Sequence, residues 1–510
     1  MRSGRFLMSD REIQMSDGGS LASYDHYIDG GSAAPVSGRY FTSDDPYTGR
    51  VWAQVARGDA SDVAAAVAAA RAALDAGVWP SLSATQRGKL LHKVGDLIVA
   101  NADLLAEIEQ RDNGKLAVEV TTQVRYVAEY FYYYAGLADK VQGEVIPTDK
   151  KGVFTYTKHE PKGVVAIITP WNSPLALTTW KLAPALAAGC TVVVKPSEFT
   201  SASMIELARL FGEAGFPPGV VNVVTGFGAE VGEPLVLHPD VAHIGFTGGE
   251  IAGQKIYEMA ARNLKTVTLE LGGKSPNIVF DDADFDQAVK GVVSGIFAAS
   301  GQTCLAGSRL LVQENVHDEF VKRLVDFVSN VKLGDPKLPD TQIGPIATRP
   351  QYEKIMSYIE IAKGEGATCI LGGEPWSGVE GGLFVEPTIF TGVDNRMRIA
   401  QEEVFGPVLC VIPFKDEQDA IRIANDVPYG LASGVWTRSL HRAMLMTDKI
   451  KAGTVWVNNY RATSFTSPFG GYKRSGVGRE SGVETIKEYL ATKCVWISTD
   501  LEVANPFVRR

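Results

Sequence analysis

From about residue 160 the chain alternates short, continuous apolar runs with longer amphipathic segments. The runs cover residues 163–169, 191–195, 220–225, 241–246 and 266–271, and most are rich in valine, isoleucine and threonine. Runs that are apolar at every position predict strands buried on both faces, the mark of a parallel sheet covered by helices. Residues 180–188, 201–215 and 251–262 between them carry helical spacing. After Phe280 the rhythm restarts, with helices expected over 287–299 and 316–331 and strands over 309–312, 408–414, 433–436 and 454–457. The pattern predicts an α/β protein of two lobes with mostly parallel sheets, divided near residues 276–284. Upstream, the alanine-rich stretch 62–76 predicts a helix capped by Ser61 and stopped by Gly77. The aromatic block Tyr130–Tyr134 reads as packing rather than a ligand platform.

Length and composition fit two lobes. At 510 residues the chain exceeds what one hydrophobic core supports. A net charge of −9 and a pI near 5.5 argue against a nucleic-acid binder, which carries a basic face. Five cysteines, odd in number and without a CxxC pair, point to a reducing compartment, with the cytoplasm as the default. They also give no zinc pattern, the seven histidines form no ligand cluster, and no metal is expected. No apolar run is expected to approach the roughly 18 residues of a membrane helix. The first 24 residues mix Arg2, Arg5 and Arg11 with Asp10, Glu12 and Asp17, and read as a disordered tail without a signal-peptide core.

Chemistry concentrates where glycines crowd a glutamate and a cysteine. Glu270 closes the run Val267-Thr268-Leu269-Glu270-Leu271 and is followed by Gly272-Gly273. Cys304 stands in Gly301-Gln302-Thr303-Cys304-Leu305-Ala306-Gly307. A thiol is the strongest common nucleophile at neutral pH, and a nearby carboxylate is able to activate water, so the pair suggests covalent chemistry at a carbonyl. By spacing alone, Cys304 remains either this nucleophile or a small buried hydrophobe, and Glu270 either a base or half of a core ion pair. Asn172, after a predicted strand, is either an oxyanion donor or a turn residue. Lys195-Pro196-Ser197-Glu198 is either a ribose-binding loop or an ordinary charged one. Gly226-Phe227-Gly228 and Phe246-Thr247-Gly248-Gly249 join strands to helices but do not complete a dinucleotide fingerprint.

Seven segments in order nevertheless resemble the aldehyde dehydrogenase superfamily, from about residue 25 to 495. They are TPWN at 169–172, KPSE at 195–198, FTGG at 246–249, LELGGKSP at 269–276, GQTCLAGS at 301–308, EEVFGPV at 402–408 and SPFGGYKRSGVGRE at 467–480. The resemblance implies a Rossmann-like NAD-binding lobe (25–140 and 159–276), a catalytic lobe (277–480) and a β-strand oligomerisation arm. The arm and C-terminal tail take in 141–158 and 481–510, and the assembly is a homodimer or homotetramer. It implies Cys304 as nucleophile, Glu270 as general base, Asn172 as oxyanion donor, and Lys181 with Glu480 as a polar pair beside Glu270. It implies cofactor contacts at Thr169, Pro170, Trp171, Lys195, Ser197, Glu198, Gly228, Phe246, Thr247, Gly248, Gly249, Leu271, Gly272, Glu403 and Phe405. The implied reaction oxidises a small-molecule aldehyde to the acid through a thioester hydrolysed by Glu270-activated water. Glu198 favours NAD, because a carboxylate at the ribose repels a 2′-phosphate, while Lys195 leaves NADP open. No nucleic acid or membrane partner is implied.

Alternatives are a CoA-acylating semialdehyde dehydrogenase, which lacks the general base, and a catalytically retired structural oligomer. Two departures bear on the site. The segment Phe246-Thr247-Gly248-Gly249 has glycine where many members place a serine near the phosphate. Ser173 and Thr463 stand where well-known members carry bulky aromatics, which implies a wider or more polar substrate tunnel. Arg461 either meets a substrate carboxylate or faces solvent or a neighbouring subunit.

Overall fold

The computed structural model describes residues 21–499 and residue 507. The expected tail therefore lies largely outside the described residues, as does most of the C-terminal tail. Where the two overlap, the expectation of disorder is corrected: Ala22–Tyr24 is a strand paired in parallel with Arg50–Ala56.

The first lobe is built on an eight-stranded sheet. Its central strands, Thr266–Glu270, Val241–Thr247, Val164–Ile168, Thr191–Lys195 and Val221–Val223, lie side by side and parallel. Every residue of Val164–Ile168 and Thr191–Lys195 is buried, because helices cover both faces. Antiparallel strands finish the edges: His26–Ile28 and Gly31–Ala33 on one side, and Gly476–Val477 on the other. Gly476–Val477 lies far along the chain, so the segment after the second lobe returns to complete the first lobe's sheet. The second lobe has seven strands, in the order Thr368–Leu371, Thr388–Thr391, Val408–Phe414, Arg309–Gln313, Pro276–Val279, Ala432–Trp436 and Thr454–Val457. All pairs are parallel except the first.

Local signals explain most boundaries. The alanine-rich helix is Ala60–Asp75, and its cap is Asp59 rather than Ser61. The Asp59 carboxylate accepts from Ser61 N–H at 2.8 Å, and Asp62 returns the bond to Asp59 N–H at 2.9 Å, a reciprocal arrangement that Ser61 does not offer. Residues Ala60–Ser81 do reach membrane-spanning length, with a mean hydropathy of 1.2, contrary to the expectation from sequence. Alanine supplies that hydropathy, and Val63, Ala66, Val67 and Ala70 form the stripe that packs on the sheet. The aromatic block sits in the helix Ala117–Leu137, where Tyr130, Phe131 and Tyr134 are buried. Tyr130 stacks on Trp180, and Tyr134 OH donates to Gly482 O at 2.9 Å.

The helix expected over 287–299 stops at Ile296, and residues 299–301 turn left-handed instead. The arm is an antiparallel pair, Val153–Pro161 with Leu490–Ser498, so its first strand begins later than 141 and runs past 158, while its second lies within 481–510. Residues 144–146 run alongside through a single bridge, Val145 to Tyr156.

Candidate active site

The carboxyl ends of the two sheets meet across a cleft. Strand Val164–Ile168 delivers Thr169-Pro170-Trp171-Asn172 there, and Pro174 at the first turn of the next helix fixes where the loop ends. Asn172 Nδ2 donates to Gln302 O at 2.9 Å, which ties the first lobe to the loop carrying Cys304. That loop begins with three consecutive left-handed residues, Ala299, Ser300 and Gly301, at φ 51°, 53° and 70°. Two of them carry a Cβ in a region L-residues rarely adopt, so the conformation must be enforced. Ala299 N–H donates to Glu119 Oε1 at 3.0 Å, Ser300 Oγ donates to Gly344 O at 2.8 Å, and Gln302 Oε1 accepts from Ala347 N–H at 2.9 Å. Only glycine fits at 301, because a Cβ there would stand 2.1 Å from Gly406 O.

Cys304 then lines a cleft of about 590 Å³ together with Pro170, Trp171, Asn172, Thr247, Gly248, Gly249, Leu271, Gly272, Glu403 and Phe405. Eleven residues singled out in the sequence thus share one cavity. Gly272 and Gly273 serve close approach rather than positive φ. A Cβ on Gly272 would lie 2.7 Å from the Glu403 carboxylate, and one on Gly273 would lie 2.5 Å from Cys304 O. Glu403 Oε1 accepts from Gly273 N–H at 2.9 Å. Phe405, at φ 61°, sets its ring edge-on to Trp171 at 5.3 Å.

Glu270 ends its strand fully buried, and neither carboxylate oxygen has a hydrogen-bond partner among the described residues. Behind it, Lys181 and Glu480 form a salt bridge in which both side chains are 0% exposed. Lys181 Nζ also donates to Thr247 Oγ1 and to Leu177 O. Burial raises the Glu270 pKa well above the ordinary carboxylate range, and the neighbouring Glu480 charge raises it further, against Lys181 and Arg479. Glu480 is also raised, again by burial first. The Cys304 thiol is pushed up to about 12 by burial, then by Glu403 and Glu270. Alone, the site therefore rests with a neutral thiol beside a group of high proton affinity.

Other singled-out residues lie around this cavity rather than on it. Lys195 is buried, donates to Pro196 O at 2.9 Å and stands 3.7 Å from the Glu198 carboxylate; burial lowers its pKa, against Glu198. Ser197 Oγ accepts from Phe199 N–H at 3.4 Å. Glu198 borders a separate cavity of about 690 Å³ beside Asp45 and Arg349. Gly228 opens the turn Gly228–Gly232, and Phe246 is buried under Gly248. Thr169 Oγ1 meets Thr178 Oγ1 at 3.0 Å inside the lobe. Gly249 caps Glu250–Ala261 without a side-chain bond, as its lack of a hydroxyl requires. Gln351 and Lys354 line the cleft but escaped the sequence reading. Thr348 and Pro350 mark the start of their helix, Arg349–Gly364, and would have placed both residues on its first two turns.

A family model described as the aldehyde dehydrogenase family matches residues 34–495. The chain belongs to that family. It is accordingly an NAD-dependent oxidoreductase of small-molecule aldehydes. It is 49% identical over 473 residues, 92% of this chain and 96% of the relative, to (Z)-2-((N-methylformamido)methylene)-5-hydroxybutyrolactone dehydrogenase of Acinetobacter baylyi. Betaine aldehyde dehydrogenase from Staphylococcus aureus, solved with NAD+, superposes with a TM-score of 0.94 at 42% identity, covering 96% of this chain and 97% of that one. Aldehyde dehydrogenase from Bacillus cereus, also solved with NAD+, gives a TM-score of 0.91 at 43% identity, covering 93% and 96%.

The residues present fit NAD. The cleft has the glycine-lined approach at Gly248, Gly249 and Gly272 that lets a flat group close on the backbone, and the Glu403 carboxylate faces it as an acceptor. Lys195 and Glu198 stand at the carboxyl end of the adjacent strand, where open α/β sheets bind nucleotides.

Proposed function

We propose that this aldehyde dehydrogenase works through Cys304 as nucleophile and hydrolyses its own thioester with Glu270. The observation that carries the reading is a thiol in the cleft with a buried, unpartnered carboxylate behind it. Cys304, deprotonated, attacks the aldehyde carbon, and the oxyanion formed is held by Asn172 Nδ2 and the Cys304 backbone N–H. Asn172 Nδ2 carries two N–H donors, so one holds Gln302 O and the other remains for the oxyanion. NAD, when bound, supplies the hydride acceptor, held by Glu403 at one ribose and by Lys195 and Glu198 at the other. Cys304 is left as a thioester. Glu270 takes a proton from water, the water oxygen adds to the thioester carbon, and the carboxylic acid leaves as Cys304 recovers its sulfur electrons. A base whose proton affinity lies above the ordinary carboxylate range is suited to this step. Burial sets that affinity first; Glu480 raises it further and Lys181 opposes the rise.

Glu270 also argues against transfer of the thioester to CoA. The protein is a homo-oligomer, dimer or tetramer, in this reading, because a lone two-stranded ribbon is marginal in water and its Phe154, Trp496 and Ile497 are exposed. Five unpaired cysteines favour a reducing, cytoplasmic setting. NADH formation from aldehyde and NAD, with and without CoA, tests the reaction. Turnover that needs no CoA and is abolished in Cys304→Ala supports it; turnover surviving in that variant, or requiring CoA, refutes it.

A further inference from the structure

Glu119 takes no part in the steps above, yet it holds the loop that carries them out. Its Oε1 accepts from Ala299 N–H at 3.0 Å, and its Oε2 is buried without a hydrogen-bond partner among the described residues. Ala299 opens the left-handed turn that leads to Cys304, so its orientation decides where the thiol and its backbone N–H stand. The ties at Ser300 and at the Gln302 side chain, to Gly344 O and from Ala347 N–H, come from the loop's own lobe. Among the described residues, two hydrogen bonds reach residues 299–302 from the first lobe. One is that of Glu119; the other runs from Asn172 Nδ2 to Gln302 O.

Asn172 is itself gripped by the segment that carries Glu119. Lys115 Nζ donates to Ser173 Oγ at 2.8 Å, and Leu175 N–H donates to Glu109 Oε2 at 3.2 Å, so the residues just after Asn172 are fixed. Lys115 and Glu109 stand 3.8 Å apart, both buried. The helix Ala117–Leu137 packs on Pro174–Ala188, where Tyr130 stacks on Trp180 with centroids 5.8 Å apart. A second cavity, of about 280 Å³, is lined by Lys115, Glu119, Asn172, Ala299 and Gln302 together. One rigid stretch, residues 109–123, thus holds the neighbours of Asn172 with one end and the turn before Cys304 with the other.

We infer that Glu119 is a positioning residue: through Ala299 N–H it sets the spacing between the Cys304 backbone N–H and Asn172 Nδ2, the two donors of the oxyanion hole. The inference rests on Cys304 and Asn172 acting as proposed above. Those donors belong to different lobes, and a misplacement of about 1 Å costs on the order of 100-fold in rate. Ala299 and Ser300 also resist the left-handed region, and a charged acceptor makes the stronger kind of bond to hold them there. Two other roles compete. Glu119 stabilises the fold alone, or its charge balances Arg461, although the Arg461 guanidinium donates to Ser294 O at 3.1 Å.

Single-turnover kinetics separate these roles, with enzyme in excess over aldehyde, NAD saturating and NADH formation followed. Alkylation of Cys304 by iodoacetamide, located by peptide mass, reports the same thiol in a reaction that develops no oxyanion. Glu119→Ala should lower the NADH rate constant about 10- to 100-fold while slowing alkylation less than about threefold. Glu119→Gln, whose amide oxygen still accepts from Ala299 N–H, should recover most of the loss. Glu119→Asp, one methylene short of Ala299, should not, and these two carry the comparison should the alanine variant fail to fold. In an Asn172→Ala background, adding Glu119→Ala should cost less than about threefold, because the second donor is already gone. A wild-type rate constant in Glu119→Ala, a loss matched by slower alkylation, or equal losses with and without Asn172 would overturn the positioning role and leave the reaction intact. Glutamine as slow as alanine would overturn it too, in favour of the charge. Wild-type NADH formation that survives alkylation of Cys304 would instead refute the reaction reading, and this inference with it.

Discussion

Replacing Glu480 by glutamine probes how the buried acid–base group is tuned. Glu480 and Lys181 form a salt bridge with both side chains at 0% exposure, and Lys181 also reaches Thr247 Oγ1 and Leu177 O. Burial is the first cause of the raised Glu270 pKa and the Glu480 charge the second, while Lys181 pulls the other way. In Glu480→Gln the repulsive charge is gone and Lys181 is left to stabilise ionised Glu270. Glu270 must be deprotonated to act as base, so activity is lost as pH falls through its pKa. The acid limb of the kcat profile, which includes thioester hydrolysis, should therefore move to lower pH, by about one unit for each ~1.4 kcal/mol of repulsion removed. Lys181→Met removes the attractive charge and should move the limb to higher pH. Breaking a buried pair from either side costs about 3–5 kcal/mol. With unfolding entropies of roughly 2 cal/mol/K per residue, a chain of this length loses about 1 °C of Tm per kcal/mol, so both variants should melt about 3–5 °C lower. The assays are NADH formation across pH and a thermal melt. An acid limb that stays put, or that moves the same way in both variants, would refute the reasoning.

Gly301→Ala should cripple turnover by about 100-fold or more, since its Cβ meets Gly406 O at 2.1 Å at a φ of 70° that alanine resists; kcat measured beside a thermal melt checks that the loss exceeds any change in stability. His243, buried between Thr266 and Thr268, has its pKa lowered to about 3 by burial, and then by Lys162. The unfolded chain binds that proton below about pH 6.5 and the fold does not, so stability is lost as pH falls from about 6.5 towards 3, by up to ~1.4 kcal/mol per unit. His243→Gln should flatten that part of the Tm-against-pH curve, and an unchanged slope would exclude His243 as a cause.

The parallel core was the most legible part of the fold. Runs apolar at every position, such as Thr191–Lys195, have no other place than a sheet covered on both faces. The chemical loops were legible as motifs but not as geometry. Nothing in the sequence around Gly301 shows that Ala299 and Ser300 also turn left-handed, because that strain is imposed by Glu119, Gly344 and Ala347 from distant segments. The helix expected to run to Ala299 overran for that reason. Ser61 was a sound cap by residue type and lost to Asp59 because Asp62 is able to return the bond. Gln351 and Lys354 were missed because an amphipathic helix gives no sign of which polar residues on its first turns face a cleft. Glu270 looked anomalous in an apolar strand, and its buried, unpartnered carboxylate shows that the anomaly was physical.

The most direct test of the chemistry is to trap its covalent intermediate. Glu270→Gln enzyme, mixed with aldehyde and NAD and quenched in acid, should release a burst of about one NADH per active site. The peptide containing Cys304 should then gain the mass of the acyl group. Cys304→Ala should give neither burst nor added mass. Full steady-state turnover by Glu270→Gln, or a burst with no acyl group on Cys304, would contradict a Cys304 thioester cleared by Glu270.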